Sequence, residues 1–201
     1  LRLGVDHAAR VKAIGAGSTM YGPIPELDPG YEDLESTAPF DPDAAKKLLA
    51  EAGAEDITLT LTIPSFYGTT VSQILVSNLD DVGITLKVNA VEFSAWLNDV
   101  YINKNYDLSF VLHTEAHDFE NWANPDYYFT YDNPEVQKLI SEQVSTADVN
   151  ERRAKLEQIQ DLVSDDISTL PLLQGKQIAV TGTDVSGVQL DASFKLRFAP
   201  L

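Results

Sequence analysis

Residues 56–113 decide the fold. They open with Asp56-Ile57-Thr58-Leu59-Thr60-Leu61-Thr62-Ile63-Pro64 and close with Leu108-Ser109-Phe110-Val111-Leu112-His113. The opening segment alternates with period two and is rich in β-branched residues, the pattern of a strand on a sheet. Pro64 has no N–H to donate, so the ladder is expected to stop there. Val71, Leu75, Leu79 and Val82 follow at helical spacing, with Gly83 as the stop. Ile84, Leu86, Val88 and Ala90 then alternate with Thr85, Lys87 and Asn89, which predicts a second strand. Phe93, Trp96, Leu97 and Val100 form another helical stripe, and 108–112 is a compact apolar run suited to a third strand. Strand, helix, strand, helix, strand predicts an α/β layer of parallel strands with right-handed crossovers. Open sheets of this kind place ligands beyond the carboxyl ends of their strands. The first strand leaves through Pro64-Ser65-Phe66-Tyr67 and the third through His113-Thr114-Glu115-Ala116-His117-Asp118. Neighbouring parallel strands would bring both loops to one rim.

On the amino-terminal side, Leu3, Val5, Ala9 and Ile14 predict a helix over 3–14. A long irregular segment follows, punctuated by Gly15, Gly17, Gly22, Pro23, Pro25, Pro29 and Gly30. Such a loop needs either a surface to lie on or a function. Its Gly15-Ala16-Gly17-Ser18 is not a phosphate loop, because no strand precedes it and no Gly-Lys pair closes it. Asp41-Pro42 is a helix start, with Ala44, Ala45, Leu48 and Leu49 on the apolar side and Gly53 at the end. On the carboxyl side, 113–133 is aromatic and irregular. Asn133-Pro134 starts a short helix, and Asp148 caps a longer one over about 149–165. Short strands are expected at 170–173, 177–181 and 194–198.

The chain of 201 residues is 44% apolar, enough for one substantial core or two modest ones. It has no apolar run long enough to cross a membrane as a helix. It does not begin with Met and shows no secretion leader, so a processed product or an excised domain is expected. Thirty-one acidic residues against fourteen basic ones give a net charge of −17, a surface that repels nucleic acid and anionic lipid. Cysteine is absent, which excludes disulfides, thiolate metal sites and a cysteine nucleophile.

His113, Glu115, His117 and Asp118 are the one dense group of proton- or metal-active side chains. His-x-x-x-His with carboxylates admits a divalent-metal-dependent hydrolase using His113 and His117. A zinc hydrolase of the His-Glu-x-x-His type needs Glu after the first His, where Thr114 stands. Glu115 and Asp118 sit too close in sequence to establish a glycosidase pair, and no Gly-x-Ser-x-Gly elbow exists. Each residue also has a plain structural role open to it: His113 as a hydrogen-bond partner, Asp118 as the holder of a turn, the aromatics of 119–131 as core. The same aromatics suit the wall of a pocket, and as a set these residues fit ligand binding better than catalysis. No catalytic residue, metal or cofactor is assigned.

Several segments resemble, in order, bacterial extracytoplasmic solute-binding proteins of the peptide/nickel type, family 5. Asp6-His7-Ala8-Ala9-Arg10 is similar to the family's Ala-Ile-Asp-Arg helix, and Tyr21-Gly22-Pro23-Ile24-Pro25 to its loop. Phe40-Asp41-Pro42-Asp43-Ala44-Ala45-Lys46-Lys47-Leu48-Leu49 resembles its most distinctive helix. Asp81-Val82-Gly83-Ile84, Tyr106-Asp107-Leu108, Tyr131-Asp132-Asn133-Pro134 and Leu170-Pro171-Leu172 continue the order. The resemblance implies one lobe of a periplasmic-binding-protein-like (type II) fold, with a mixed sheet and flanking helices. It implies a carboxyl-terminal lobe at 1–175 and a segment at 176–201 that returns toward an amino-terminal lobe outside this sequence. It further implies extracytoplasmic capture of a peptide or other small solute and delivery to an ABC permease. An upstream lipoprotein signal would anchor the protein to the outer face of the cell membrane.

The family's peptide binders carry a Trp-x-x-Asp-x-x-Asp-Pro stretch whose first Asp can meet a peptide amino terminus. Here Asn124-Pro125 fits the last pair, Asn121 takes the amine-binding position and Asp118 the Trp position. His113-x-Glu115-Ala116-x-Asp118 instead looks like a subgroup from high-GC Gram-positive bacteria. The expected ligand-binding residues are Ser65, Phe66, Tyr67, His113, Glu115, Asp118 and Trp122. Tyr67 and Trp122 would supply flat walls, and Glu115 or Asp118 the partner of a cationic group. Metal chelates, opines and sugars are also carried within the family. Apolar residues across 185–198 make self-association of the isolated chain a further expectation.

Overall fold

The computed structural model describes residues 1–114, 118–176, 178–190 and 196–198. The first expected helix is two pieces: a 3-10 turn at Arg2–Gly4 and helix α1 at His7–Ile14. Val5 is extended between them, and Asp6 caps α1 by accepting from the Ala9 N–H at 2.9 Å. Helix α2, Pro42–Glu51, starts as the Asp-Pro signal predicts, with Asp41 accepting from the Ala44 N–H.

Strand β1 (Thr58–Pro64) pairs in parallel with β2 (Thr85–Val91) on one side and β3 (Leu108–Ser109) on the other. The order β2-β1-β3 puts the first and third strands side by side, as the two-loop argument requires. Pro64 is the last residue of β1, opposite Val91. Helix α3 (Thr70–Asp80) connects β1 to β2, and α4 (Phe93–Trp96) leads toward β3. The stripe expected to continue to Val100 does so as a π-helical segment, Leu97–Ile102. The third strand is shorter than the expected 108–112, because the Leu112 N–H bonds the Tyr67 hydroxyl at 2.8 Å and not a strand neighbour.

Two apolar clusters form the interior. Leu61, Ile63 and Leu86 of the sheet pack with Leu75 and Leu79 of α3, together with Val5, Ala45, Val82 and Ile84. The other sheet face meets α4, where the Trp96 indole donates to Ser109 Oγ at 2.9 Å and Ser109 donates on to the Thr62 carbonyl at 2.9 Å. The second cluster joins helices α5 (Pro134–Ser145) and α6 (Val149–Asp166) through Val136, Leu139, Ile140, Leu156, Ile159 and Val163. Asn133 and Asp148 cap these helices, as read from sequence.

The long irregular segment lies on α6. Ile24 is buried in the second cluster, and buried Gln160 donates to the Gly30 carbonyl at 2.6 Å. Gly30 is required there, since a Cβ would sit 2.5 Å from Leu156 Cδ1. The expected strands at 170–173 and 177–181 do not form among the described residues; only a single antiparallel bridge joins Gln174 to Ser18. Leu170 and Leu172 instead pack against the apolar cluster of the sheet, and Gln177 lies outside the described residues. The last expected strand is β5 (Leu196–Phe198), antiparallel to β4 (Val188–Leu190); Phe194 lies outside the described residues. Parallel and antiparallel pairing therefore occur in two separate sheets.

Candidate functional site

The carboxyl ends of β1 and β3 deliver two loops to one rim. A 3-10 turn, Ser65–Tyr67, follows β1 directly. The Leu112 N–H donates to its Tyr67 hydroxyl, and the Tyr67 and Phe110 rings lie 5.3 Å apart, which fastens the two loops together. Phe66 packs against Tyr67 at 4.6 Å and Phe93 at 5.8 Å, yet remains 64% exposed. Ser65 is exposed, with its hydroxyl 3.5 Å from Glu92 Oε1. Three of the expected residues thus stand together at the rim.

His113 joins them from the β3 side and is held at both ring nitrogens. Nδ1 pairs with Asp118 Oδ2, and Nε2 lies 2.8 Å from the Tyr128 hydroxyl. Asp118 Oδ1 accepts from the Asn121 amide at 2.5 Å. Burial pushes the Tyr128 phenol well above its ordinary range, with neighbouring Tyr127 adding to the effect. Tyr128 therefore stays protonated and is fixed further by the Tyr106 hydroxyl, which donates to its carbonyl at 2.9 Å. A neutral His113 with its proton on Nδ1 would donate to Asp118 and accept from Tyr128.

Trp122 has a different place from the expected flat wall. It is 6% exposed, belongs to the helical cluster with Phe119 and Ile140, and its indole donates to Ser168 Oγ at 3.0 Å. Among the described residues it reaches toward the site through Phe129, at a ring distance of 4.9 Å. Its burial follows from the 3-10 turn Asp118–Ala123, which aims Phe119 and Trp122 inward. Glu115 and His117 lie outside the described residues.

Sequence reasoning missed Phe93 and Tyr101 as contributors, and it reached Tyr128 only as one of the 119–131 aromatics suited to a pocket wall. Tyr101 sits on the π segment and contacts Trp96, Tyr127 and Tyr128 at 5.5–6.5 Å. The run Tyr127-Tyr128-Phe129 was a visible aromatic signal. The π segment had none, because its side-chain stripe reads as ordinary helix; such segments often occur at functional sites. The arrangement can bury apolar or aromatic groups and offer a few hydroxyls. A metal pair through His113 is not set up, since both its nitrogens are engaged, and the described residues hold no group of three metal-ligating side chains.

Comparison with known proteins bears on the family and the fold. The family described as "Bacterial extracellular solute-binding proteins, family 5 Middle" matches residues 1–131. Di/tripeptide-binding protein 4 of Pseudomonas aeruginosa (strain UCBPP-PA14) is 26% identical over 210 residues, covering 92% of this chain and 38% of that protein. The dipeptide binding protein from Pseudoalteromonas sp. SM9913, solved in complex with Met-Leu, superposes with a TM-score of 0.83 at 19% identity. That match covers 96% of this chain and 42% of the other. NikA from Brucella suis, in complex with Fe(III)-EDTA, gives 0.79 at 19% identity, over 95% of this chain and 44% of the other. The structural likenesses show a shared fold, part of that of the periplasmic binding proteins. The chain spans well under half the length of these relatives.

Proposed function

Because the chain belongs to the bacterial extracellular solute-binding proteins of family 5, we propose that it supplies part of the binding body of a protein that captures a di- or oligopeptide outside the cytoplasm. That protein hands its ligand to the permease of an ABC importer. The family is one of solute-binding proteins and not of enzymes, so no residue here is given a catalytic role. Residues 1–175 form the carboxyl-terminal lobe, and 176–201 run back toward the other lobe. The protein belongs to the high-GC Gram-positive subgroup, and a lipoprotein anchor holds it at the membrane. Self-association through 185–198 is the expected behaviour of the chain by itself.

The ligand rests on Ser65, Phe66, Tyr67 and His113. Asp118 stands behind His113, Trp122 supports the floor through Phe129, and Glu115 is included from its place in sequence. The observation that carries this reading is the Tyr67–Leu112 hydrogen bond, which joins the two carboxyl-end loops under an exposed aromatic ring. The names of the relatives favour a peptide as the solute. The test is to purify the full-length protein natively and identify the co-purifying solute by mass spectrometry. Recovery of di- or oligopeptides at near one per protein is expected. A sugar, an opine or a metal chelate in their place would overturn the peptide assignment.

A further inference from the structure

We infer that Asp118 is the internal acceptor of a closed Asn121–Asp118–His113–Tyr128 network and not the counter-ion of the ligand, so that the site admits solutes with no positive charge at the His113 end. This rests on the site assignment above and specifies the ligand chemistry that the site accepts.

Both oxygens of the Asp118 carboxylate are in use. Oδ2 pairs with Nδ1 of His113, and Oδ1 accepts from the Asn121 amide. The side chain is 16% exposed and His113 is 27% exposed, so the pair is largely withdrawn from water. At its other end the chain finishes on Tyr128, whose hydroxyl serves Nε2 of His113. Both Asp118 oxygens and both His113 ring nitrogens are matched without a ligand. A carboxylate reserved for an incoming ammonium would instead be left half-buried and unpaired in the free protein, at a substantial desolvation cost. Asp118 is therefore a positioning residue. It fixes the His113 ring and its tautomer, and through it the Tyr128 hydroxyl. Among the described residues, the rim next to this network offers exposed aromatic surface, with Phe66 64% and Phe93 44% exposed. Such a surface takes apolar groups and neutral peptide ends. An N-acylated or otherwise blocked amino terminus loses no partner at Asp118.

The test uses the full-length protein and its Asp118→Asn variant. Calorimetric titration with Met-Leu and N-acetyl-Met-Leu should give affinities within about threefold of each other. A preference of about tenfold or more for the free amine overturns the inference. Thermal unfolding of the ligand-free proteins gives an independent answer. Asp118→Asn should melt at a lower temperature than wild type, because it removes the charged acceptor of His113; a higher melting temperature would mean that a lone charge had been relieved, and the inference fails. The 15N spectrum should show His113 protonated at Nδ1 in wild type, with that signature altered in the variant; an Nε2–H tautomer in wild type also overturns it. If neither dipeptide binds, the peptide reading fails, while the melting and tautomer results still decide the role of Asp118.

Discussion

His7 shows how one side chain can tie stability to pH. It is 3% exposed, stacked near Tyr21 at a ring distance of 4.7 Å and one helical turn from Arg10. Burial, reinforced by the Arg10 charge, lowers its pKa from 6.5 to about 4. The unfolded chain therefore binds a proton at His7 between these two values while the native chain does not, and stability rises with pH across this window. His7 contributes a loss of about 3 kcal/mol on acidification from neutral pH to pH 4. Replacing it with Gln removes that titration. Urea unfolding at pH 7 and pH 4.5 should show a smaller fall for His7→Gln than for wild type. An equal fall in both would assign the acid sensitivity to other groups. Nothing in Asp6-His7-Ala8 announced the burial, because it depends on Tyr21 and on Ser164 and the 169–171 segment beside His7. The caps Asp41, Asn133 and Asp148 were legible for the opposite reason: each acts within three residues of itself.

At the scale of elements, periodicity fixed the strand–helix order because every strand and helix of the 56–113 core carries its own apolar pattern. It missed how β3 is held. Two paired residues are a weak ladder, and the Trp96–Ser109–Thr62 chain adds a side-chain clamp linking α4, β3 and β1. Ser109→Ala leaves the Trp96 indole and the Thr62 carbonyl without that partner and should cost about 1–3 kcal/mol in urea unfolding. Since the clamp sits just before the site loop, the same variant should also weaken ligand binding. A variant as stable as wild type would show that the clamp is not holding β3. The long irregular segment that opens at Gly15 needs either a surface to lie on or a function, and α6 supplies a surface through Gln160 and Leu156. That partner is 130 residues away from Gly30, beyond the reach of any local pattern. Trp122 was misplaced for a related reason. Aromatics serve core and pocket alike, and only the inward aim of the 118–123 turn separates the two uses.

For the whole molecule, the central claim is that the carboxyl-end rim of the parallel sheet is where the solute rests. The chain covers 38% of the length of Di/tripeptide-binding protein 4, so most of a full-length counterpart lies outside these residues. Under the proposed function, the exposed rings of Phe66, Phe93 and Tyr101 are the surface that such a remainder is expected to close over, with the ligand between. The isolated chain is accordingly expected to bind much more weakly than the full-length protein, which a parallel titration of the two would measure. The rim itself was legible in the sequence because strand order and loop position follow from topology. The closed His113–Asp118 network was not, since it depends on Tyr128, fifteen residues further along. The most direct measurement is a crystal structure of the full-length protein with its co-purified solute. The account predicts ligand atoms in van der Waals contact with Phe66 or Tyr67 and with His113. A ligand lying more than about one side-chain length from both the 64–67 and 113–122 loops would contradict it.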